Sequence, residues 1–475
     1  MVGVILSSQI VQPSLQVIFG KVVPCDLPVG NKRLLEHQLK FLGNFCERIV
    51  LTIPSDYEFI LPSNVNLRIL RLKVDLSLFE VLKNLSSFIE GDVFILFGDT
   101  LFDIKKTTVL ANSILVGRPK LEYSWGPKFD DDHVPAGGFG MDGSVFSDAL
   151  QMSNDFSEFV FELIRRGVPR VIPDGWLDFG LSYTYFRSRQ FFLMSRAFNS
   201  LSLNDGFVKK SSRDKVKICS EFNWLVQMKN FFPANIPLAR SLVDNEEESS
   251  YLIEYMSLPT LSEIFVYGRL RDEYIREIFY VLRDFLRRMH EYPIQSHMET
   301  TDFMYTKLLE RRDSIFECIE SLGLNNLVIE NLIDNNLDYF SSRPLKTGLF
   351  HGDFCFSNLL FDFNSMRVVC IDPRGLVDRI EGPSIIGPIL YDYYKLAHSF
   401  VLGYDALVSD YFGSDYFAID SVRHRLKWFC DFFRLEQDDL KFGLSNLFLT
   451  LLPLHYDDSD RQKRFVDALM LIERL

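Results

Sequence analysis

Four polar residues set between two apolar runs constrain this chain more than anything else in it. Leu349-Phe350-His351-Gly352-Asp353-Phe354-Cys355-Phe356-Ser357-Asn358-Leu359-Leu360 is followed by Val369-Cys370-Ile371-Asp372-Pro373-Arg374-Gly375. The pattern reads as strand, polar loop, strand, acidic turn. Phosphoryl transfer needs little covalent help from a protein. It needs a carboxylate facing the acceptor hydroxyl and oxygen ligands for the Mg²⁺ that bridges the ATP phosphates. Asp353 suits the first role; Asn358, five residues on, and Asp372, just past the next strand, suit the second. The plain alternative is a tight turn between buried strands with chance aspartates. Four polar positions at these spacings weigh against it.

The His-Gly-Asp-x-x-x-x-Asn…Ile-Asp-Pro arrangement resembles the aminoglycoside phosphotransferase and choline kinase family, a branch of the protein-kinase-like fold. The resemblance covers about residues 190–475. It implies an α+β domain over 188–475, with a small β-rich lobe at 188–258 and a large helical lobe at 259–475. The implied activity is Mg²⁺-dependent transfer of the γ-phosphate of ATP to a hydroxyl of a small molecule. Asp353 is then the catalytic carboxylate, and His351 braces its loop. Asp392, in Pro388-Ile389-Leu390-Tyr391-Asp392-Tyr393-Tyr394-Lys395, matches the family's structural aspartate beneath that loop. Arg283–His290 matches a Leu/Arg-rich helix ending in His, although an apolar stripe of Leu282, Phe285 and Leu286 is first of all core packing.

A kinase small lobe also needs a strand Lys on the nucleotide phosphates and a helix Glu to hold it. Gly206-Phe207-Val208-Lys209-Lys210 offers two candidates, and Glu221 on the following helix offers the partner. Strand alternation sends the two lysines to opposite faces. Lys210 shares a face with the small Val208 and is preferred over Lys209. Tyr251–Met256 looks like the inter-lobe hinge. The acceptor pocket is expected to draw its walls from residues 300–345 and 376–460; Arg374, after Asp-Pro, reads equally as an arginine reaching a phosphate or as an exposed loop arginine.

The first ~185 residues alternate strand-like and helix-like segments, the grammar of a mostly parallel α/β sheet. Val2–Leu6, Arg48–Ile53, Leu67–Leu72 and Asp92–Phe97 read as strands, and Leu34–Leu42, Leu78–Ile89 and Asp155–Arg166 as helices. Ser77 and Glu80 have the spacing of a capping box. Leu27-Pro28-Val29-Gly30-Asn31-Lys32-Arg33-Leu34-Leu35-Glu36-His37-Gln38 is similar to a segment of the sugar nucleotidyltransferase family. In that resemblance, covering 1–187, Gly98-Asp99 supplies one metal-binding aspartate and Trp176-Leu177-Asp178 the second. Gly137-Gly138 supplies a sugar-contacting glycine turn. Two carboxylates on one Mg²⁺ suit attack of a sugar phosphate on the α-phosphorus of a second NTP. One departure matters: the family's glycine-rich, arginine-bearing loop is replaced by Ser7-Ser8-Gln9-Ile10-Val11-Gln12-Pro13-Ser14, with Lys21 and Lys32 as the remaining basic positions.

Composition closes off other classes. A net charge of −13 argues against a nucleic-acid footprint and reads as solubility. The seven cysteines have no zinc-ligand spacing, the apolar N-terminus lacks a basic flank, and no apolar run reaches the ~18 residues of a membrane span. A cytoplasmic setting is expected. The whole implies a kinase of a sugar, alditol or amino alcohol, joined to a domain that activates the product with a nucleotide, as in capsule or lipopolysaccharide precursor supply. A choline- or aminoglycoside-type kinase with an inert scaffold domain, and a non-catalytic binding protein, are the alternatives; the intact Asp353/Asn358/Asp372 set argues against the latter.

Overall fold

A computed structural model describes the chain apart from residues 63–65, 104–111, 120–126, 130–132, 174, 193–199, 205, 294–298, 301–302, 325, 342, 375, 379–381 and 414. Packing divides it into two units, Met1–Phe192 with Tyr267–Leu270, and Leu193–Val266 with Arg271–Leu475.

The first unit is built on a seven-stranded sheet. Its order is Arg170–Val171, Ser113–Gly117, Val134–Met141, Val93–Phe97, Val2–Leu6, Arg48–Pro54, Leu67–Leu72. The apolar runs Val2–Leu6 and Val93–Phe97 are buried along their whole length, as central parallel strands must be when both faces are covered. They pair parallel in register, Val4 opposite Ile95. The sheet is mixed, however: Val134–Met141 runs antiparallel to both neighbours. This strand also corrects the glycine expectation. Gly137 and Gly138 lie inside it, with Gly137 at φ 85°.

Local signals were obeyed closely here. Ser77 and Glu80 form both bonds of the capping box, which starts Leu78–Leu85; the helix then tightens to a 3₁₀ turn over Ser86–Phe88. The aromatic stretch after residue 181 is the helix Ser182–Arg189, tied into the unit by Tyr185, fully buried, whose hydroxyl donates to the Pro28 carbonyl at 2.6 Å.

The second unit opens with a four-stranded antiparallel sheet in the order Ser200–Asn204, Phe207–Ser212, Ser249–Glu254, Ala239–Asp244. The sequence alone reads Arg196–Leu203 as a short strand; residues 196–199 lie outside the described residues, and the described strand is Ser200–Asn204. The helix Lys215–Phe231 packs on this sheet. Helices dominate the remainder, notably Asp272–His290, Phe303–Ser321, Ile389–Phe400 and Gln437–Leu451. The hairpin Leu359–Asp362 with Arg367–Cys370 is set among them, with Leu360 opposite Val369. Among the described residues, no helix is long and apolar enough to cross a membrane.

Candidate active site

The strand Leu345–Leu349 delivers the chain to His351, and the hairpin carries it away from Asn358 and back to Asp372. Between them the loop is held from below. Asp392, fully buried, accepts hydrogen bonds from the backbone N–H of His351 and of Gly352, both at 2.8 Å, and lies 3.1 Å from Nε2 of His290. His351 Nδ1 accepts from the Asp353 N–H at 3.2 Å, which leaves Nε2 to donate to the Ile371 carbonyl at 3.1 Å. Burial holds this imidazole below its usual pKa, so it acts as a neutral spacer between two loops. Trp224 caps the arrangement through Nε1 to the Phe350 carbonyl at 2.7 Å.

Asp353 is fixed from two sides. Asn358 Nδ2 donates to its backbone oxygen at 3.0 Å and to Oδ2 at 2.9 Å, and the Lys395 ammonium sits 2.8 Å from Oδ1. Burial alone would raise this carboxyl; Lys395 more than reverses that and holds it well below the carboxylate range. The charged form is therefore secure while one carboxylate edge stays partly open, the side chain being 33% exposed.

Past the hairpin's second strand, at Asp372, Lys210 joins two carboxylates. Its Nζ is 2.6 Å from Glu221 Oε2 and 2.9 Å from Asp372 Oδ1. Burial opposes the charge on Lys210, but the two acids raise its pKa. Tyr251 donates to Glu221 at 3.2 Å, fixing the helix acid. Alternation along Phe207–Ser212 puts Lys210 and Val208 inside and Lys209 outside. Lys210→Ala is accordingly expected to cut turnover at least tenfold more than Lys209→Ala; equal losses in a steady-state assay would mean that the buried pair serves only packing. Asp372 takes a left-handed backbone at φ 53°, a costly conformation for a non-glycine residue that the surrounding bonds enforce. The N–H of Ile371 donates to the Asn358 carbonyl at 2.9 Å, which brings Asn358 and Asp372 to the same end of the hairpin. An amide and a carboxylate oxygen are hard donors of the kind Mg²⁺ takes.

In the first unit, Asp99 and Asp178 converge. A Cβ on Gly180 would lie 2.9 Å from Asp99 Oδ2 and 3.2 Å from Asp178 Oδ1, so only glycine leaves room for both. The ribbon that pairs Asp178 with Thr100 aligns them, and Gln38 Nε2 fixes the turn by donating to the carbonyls of Phe97, Gly98 and Thr100. Burial and the neighbouring Asp178 push the Asp99 carboxyl up to about 7. A cavity of about 380 Å³ opens beside Asp99 at the carboxyl ends of Val2–Leu6 and Val93–Phe97, lined by Ser7, Ser8, Gln9 and Gln12 among others. Lys21 and Lys32 are exposed and do not line it. No group of three or more acidic, His or Cys side chains gathers for a metal among the described residues.

Sequence reasoning missed Lys395, and with it Lys307 and Tyr391, which lie next to it. The available signal was a lysine inside the apolar run Tyr391–Ala397, four residues after a tyrosine.

A family model, the phosphotransferase enzyme family (APH), matches residues 187–429, just over half of the chain. The chain belongs to that family and is an enzyme, a phosphotransferase of the kinase type. Similar solved structures include a thermostable mutant of the aminoglycoside phosphotransferase APH(4)-Ia with AMP-PNP and hygromycin B, 10% identical over 59% of this chain and 95% of that one, TM-score 0.39. The streptomycin–ATP–APH(2″)-IIa ternary complex is 15% identical over 58% and 90%, TM-score 0.35. A glucosamine kinase is 12% identical over 58% and 75%, TM-score 0.39. No curated protein matches the chain.

Proposed function

We propose that the 188–475 domain phosphorylates a hydroxyl of a small molecule from Mg·ATP, at Asp353. The observation that supports this most is the Lys210–Glu221–Asp372 contact, because a buried lysine held between a helix glutamate and an aspartate, inside the family-matched segment, is what a phosphate-binding lysine beside a metal-binding acid requires. Lys210 binds the nucleotide phosphates, and Glu221 keeps it there. Asn358 and Asp372 would hold Mg²⁺, which when bound neutralises charge on the phosphates. Asp353 orients the acceptor hydroxyl and receives its proton. His351 and Asp392 position the loop. Lys395 touches Asp353 and keeps its carboxylate charged. The test is ³²P transfer from ATP to a panel of sugars, alditols and amino alcohols, with Asp353→Asn as the control; transfer that survives in the variant would refute the assignment.

A second reading concerns the 1–187 domain. The convergence of Asp99 and Asp178 beside a cavity favours a nucleotidyltransferase-like site that couples the kinase product to a nucleoside monophosphate from a second NTP, supplying an activated precursor for a surface polymer. The residues suit a divalent cation: both carboxylates stand at the position a Cβ of Gly180 would take, and Asp178 raises the Asp99 carboxyl. The hydroxyls and amides of Ser7–Gln12 would then replace glycine N–H groups at the triphosphate. Pyrophosphate release from one NTP with the kinase product is the expected result, and none with any NTP would favour an inert scaffold. Without nucleotide, Mg²⁺ at a hundredfold excess over its Kd should add about 2.7 kcal/mol of stability. Asp99→Asn should abolish that response while making the metal-free protein more stable, because it removes a half-buried like-charge contact. Calorimetric scans with and without Mg²⁺ measure both.

A further inference from the structure

Two helices meet near Asp353, and each presents polar groups four residues apart. Ile389–Phe400 carries Tyr391 and Lys395; Phe303–Ser321 carries Lys307 and Arg311. Spacing of four puts each pair on one helix face. The contacts follow. Lys307 Nζ donates to the Tyr391 hydroxyl at 2.7 Å. Lys307 and Lys395 both stand over the Tyr391 ring, at 4.9 and 5.9 Å from its centre. Lys395 reaches on to Asp353 at 2.8 Å, and Arg311 Nη1 donates to the Thr450 carbonyl at 2.5 Å. Arg374, whose N–H donates to the His351 carbonyl at 3.0 Å, lies within electrostatic reach of Asp353, Lys307, Arg311 and Tyr391.

Among the described residues, Asp353 is the acid that Lys395 and Arg374 face, and Glu310, on the exposed side of its helix, is the acid near Arg311; around Lys307 stand Tyr391, Lys395 and Arg374. Such packing is expensive without a counter-ion. Burial, Lys395 and Arg374 hold Lys307 down to about 8. Burial would raise the Tyr391 phenol, yet the two ammonium groups bring it to about 8. The cluster is not sealed: Lys307 and Arg311 are half-buried, and Arg374 is exposed. A cationic acceptor would be repelled here.

We propose that Lys307, Arg311, Arg374 and Lys395 form an oxyanion subsite, so that the acceptor is an alcohol carrying a carboxylate or phosphate a few bonds from the hydroxyl that is phosphorylated. This rests on the kinase reading and narrows its substrate class. The anion would sit between the two helices against Lys307 and Arg311, leaving the hydroxyl at the open edge of Asp353. The overall charge of −13 gave no hint of this, since it describes the whole surface and not one pocket.

The test uses the full-length protein, Mg·ATP and matched acceptors: glycerol against glycerate and glycerol 3-phosphate, glucose against gluconate and glucose 6-phosphate, with choline and kanamycin as cations. The anionic member of a pair should show kcat/KM higher by about 10²-fold or more. Lys307→Met and Arg311→Met should erase that preference by raising the acceptor KM while the KM for ATP stays unchanged. Preference for the neutral or cationic acceptors overturns the proposal and leaves the kinase reading standing. If no acceptor in the panel is turned over, the kinase reading is in question, and titration calorimetry with inorganic phosphate and glycerate decides the subsite separately. Binding to the wild type that is lost in Lys307→Met supports it, and no binding to the wild type overturns it.

Discussion

Asp353→Asn is expected to lower phosphoryl transfer by ~10²–10⁴-fold with little change in ATP affinity. The amide keeps the shape of the side chain and its contact with Asn358, but it cannot take the acceptor proton and it forfeits the Lys395 ion pair. Nucleotide binding survives because the substitution leaves the Lys210–Glu221 and Lys210–Asp372 contacts in place. The pH profile sharpens the expectation. Lys395 holds the Asp353 carboxyl low, so the wild type should show no acid limb from this group above about pH 5. Removing that cation in Lys395→Met leaves burial as the dominant influence, which raises the carboxyl. An acid limb should then move into the measurable range in kcat/KM. Turnover near wild type in Asp353→Asn would remove this carboxylate from the chemistry.

Much of this site was legible because its signals are local. A hairpin with apolar arms fixes where Asp353, Asn358 and Asp372 lie along the chain, and strand alternation alone separated Lys210 from Lys209. The capping box at Ser77 and the fully apolar strands at Val2–Leu6 and Val93–Phe97 were readable for the same reason: each depends on neighbours within a few residues. What stayed hidden depends on long-range pairing. The antiparallel direction of Val134–Met141 is set by which strands it meets, and its glycines, taken from the sequence as a turn, admit close packing within a strand instead. Lys307 meets Tyr391 across 84 positions of sequence, and neither residue has a pattern of its own. The helix Ser182–Arg189 has no clear apolar stripe; Tyr185 and Phe186 are adjacent, not spaced by three or four.

Asp392→Ala should be the most destabilising single change in the second unit. The side chain is fully buried and satisfies three donors from two distant segments: the N–H groups of His351 and Gly352, and His290 Nε2. Each buried donor left unpaired costs about 1–3 kcal/mol. Water can relieve part of that by entering the space vacated by the carboxylate, so a net loss of about 3–5 kcal/mol is expected. In a unit of this size that corresponds to a fall of roughly 10 °C in Tm. Asp392→Asn should fall between, because the amide oxygen still accepts one bond while its NH₂ faces a backbone donor. The effect should also reach the chemistry. With Gly352 and His351 released, Asp353 loses its fixed position relative to Lys395, and kcat should drop in the folded fraction while the KM for ATP, which the proposed function assigns to Lys210, changes little. Calorimetric unfolding and steady-state kinetics on the same preparation separate the two consequences. An unaltered Tm in Asp392→Ala would mean that the loop is held by Trp224 and the His351–Ile371 bond alone, and Trp224→Phe would then become the destabilising substitution.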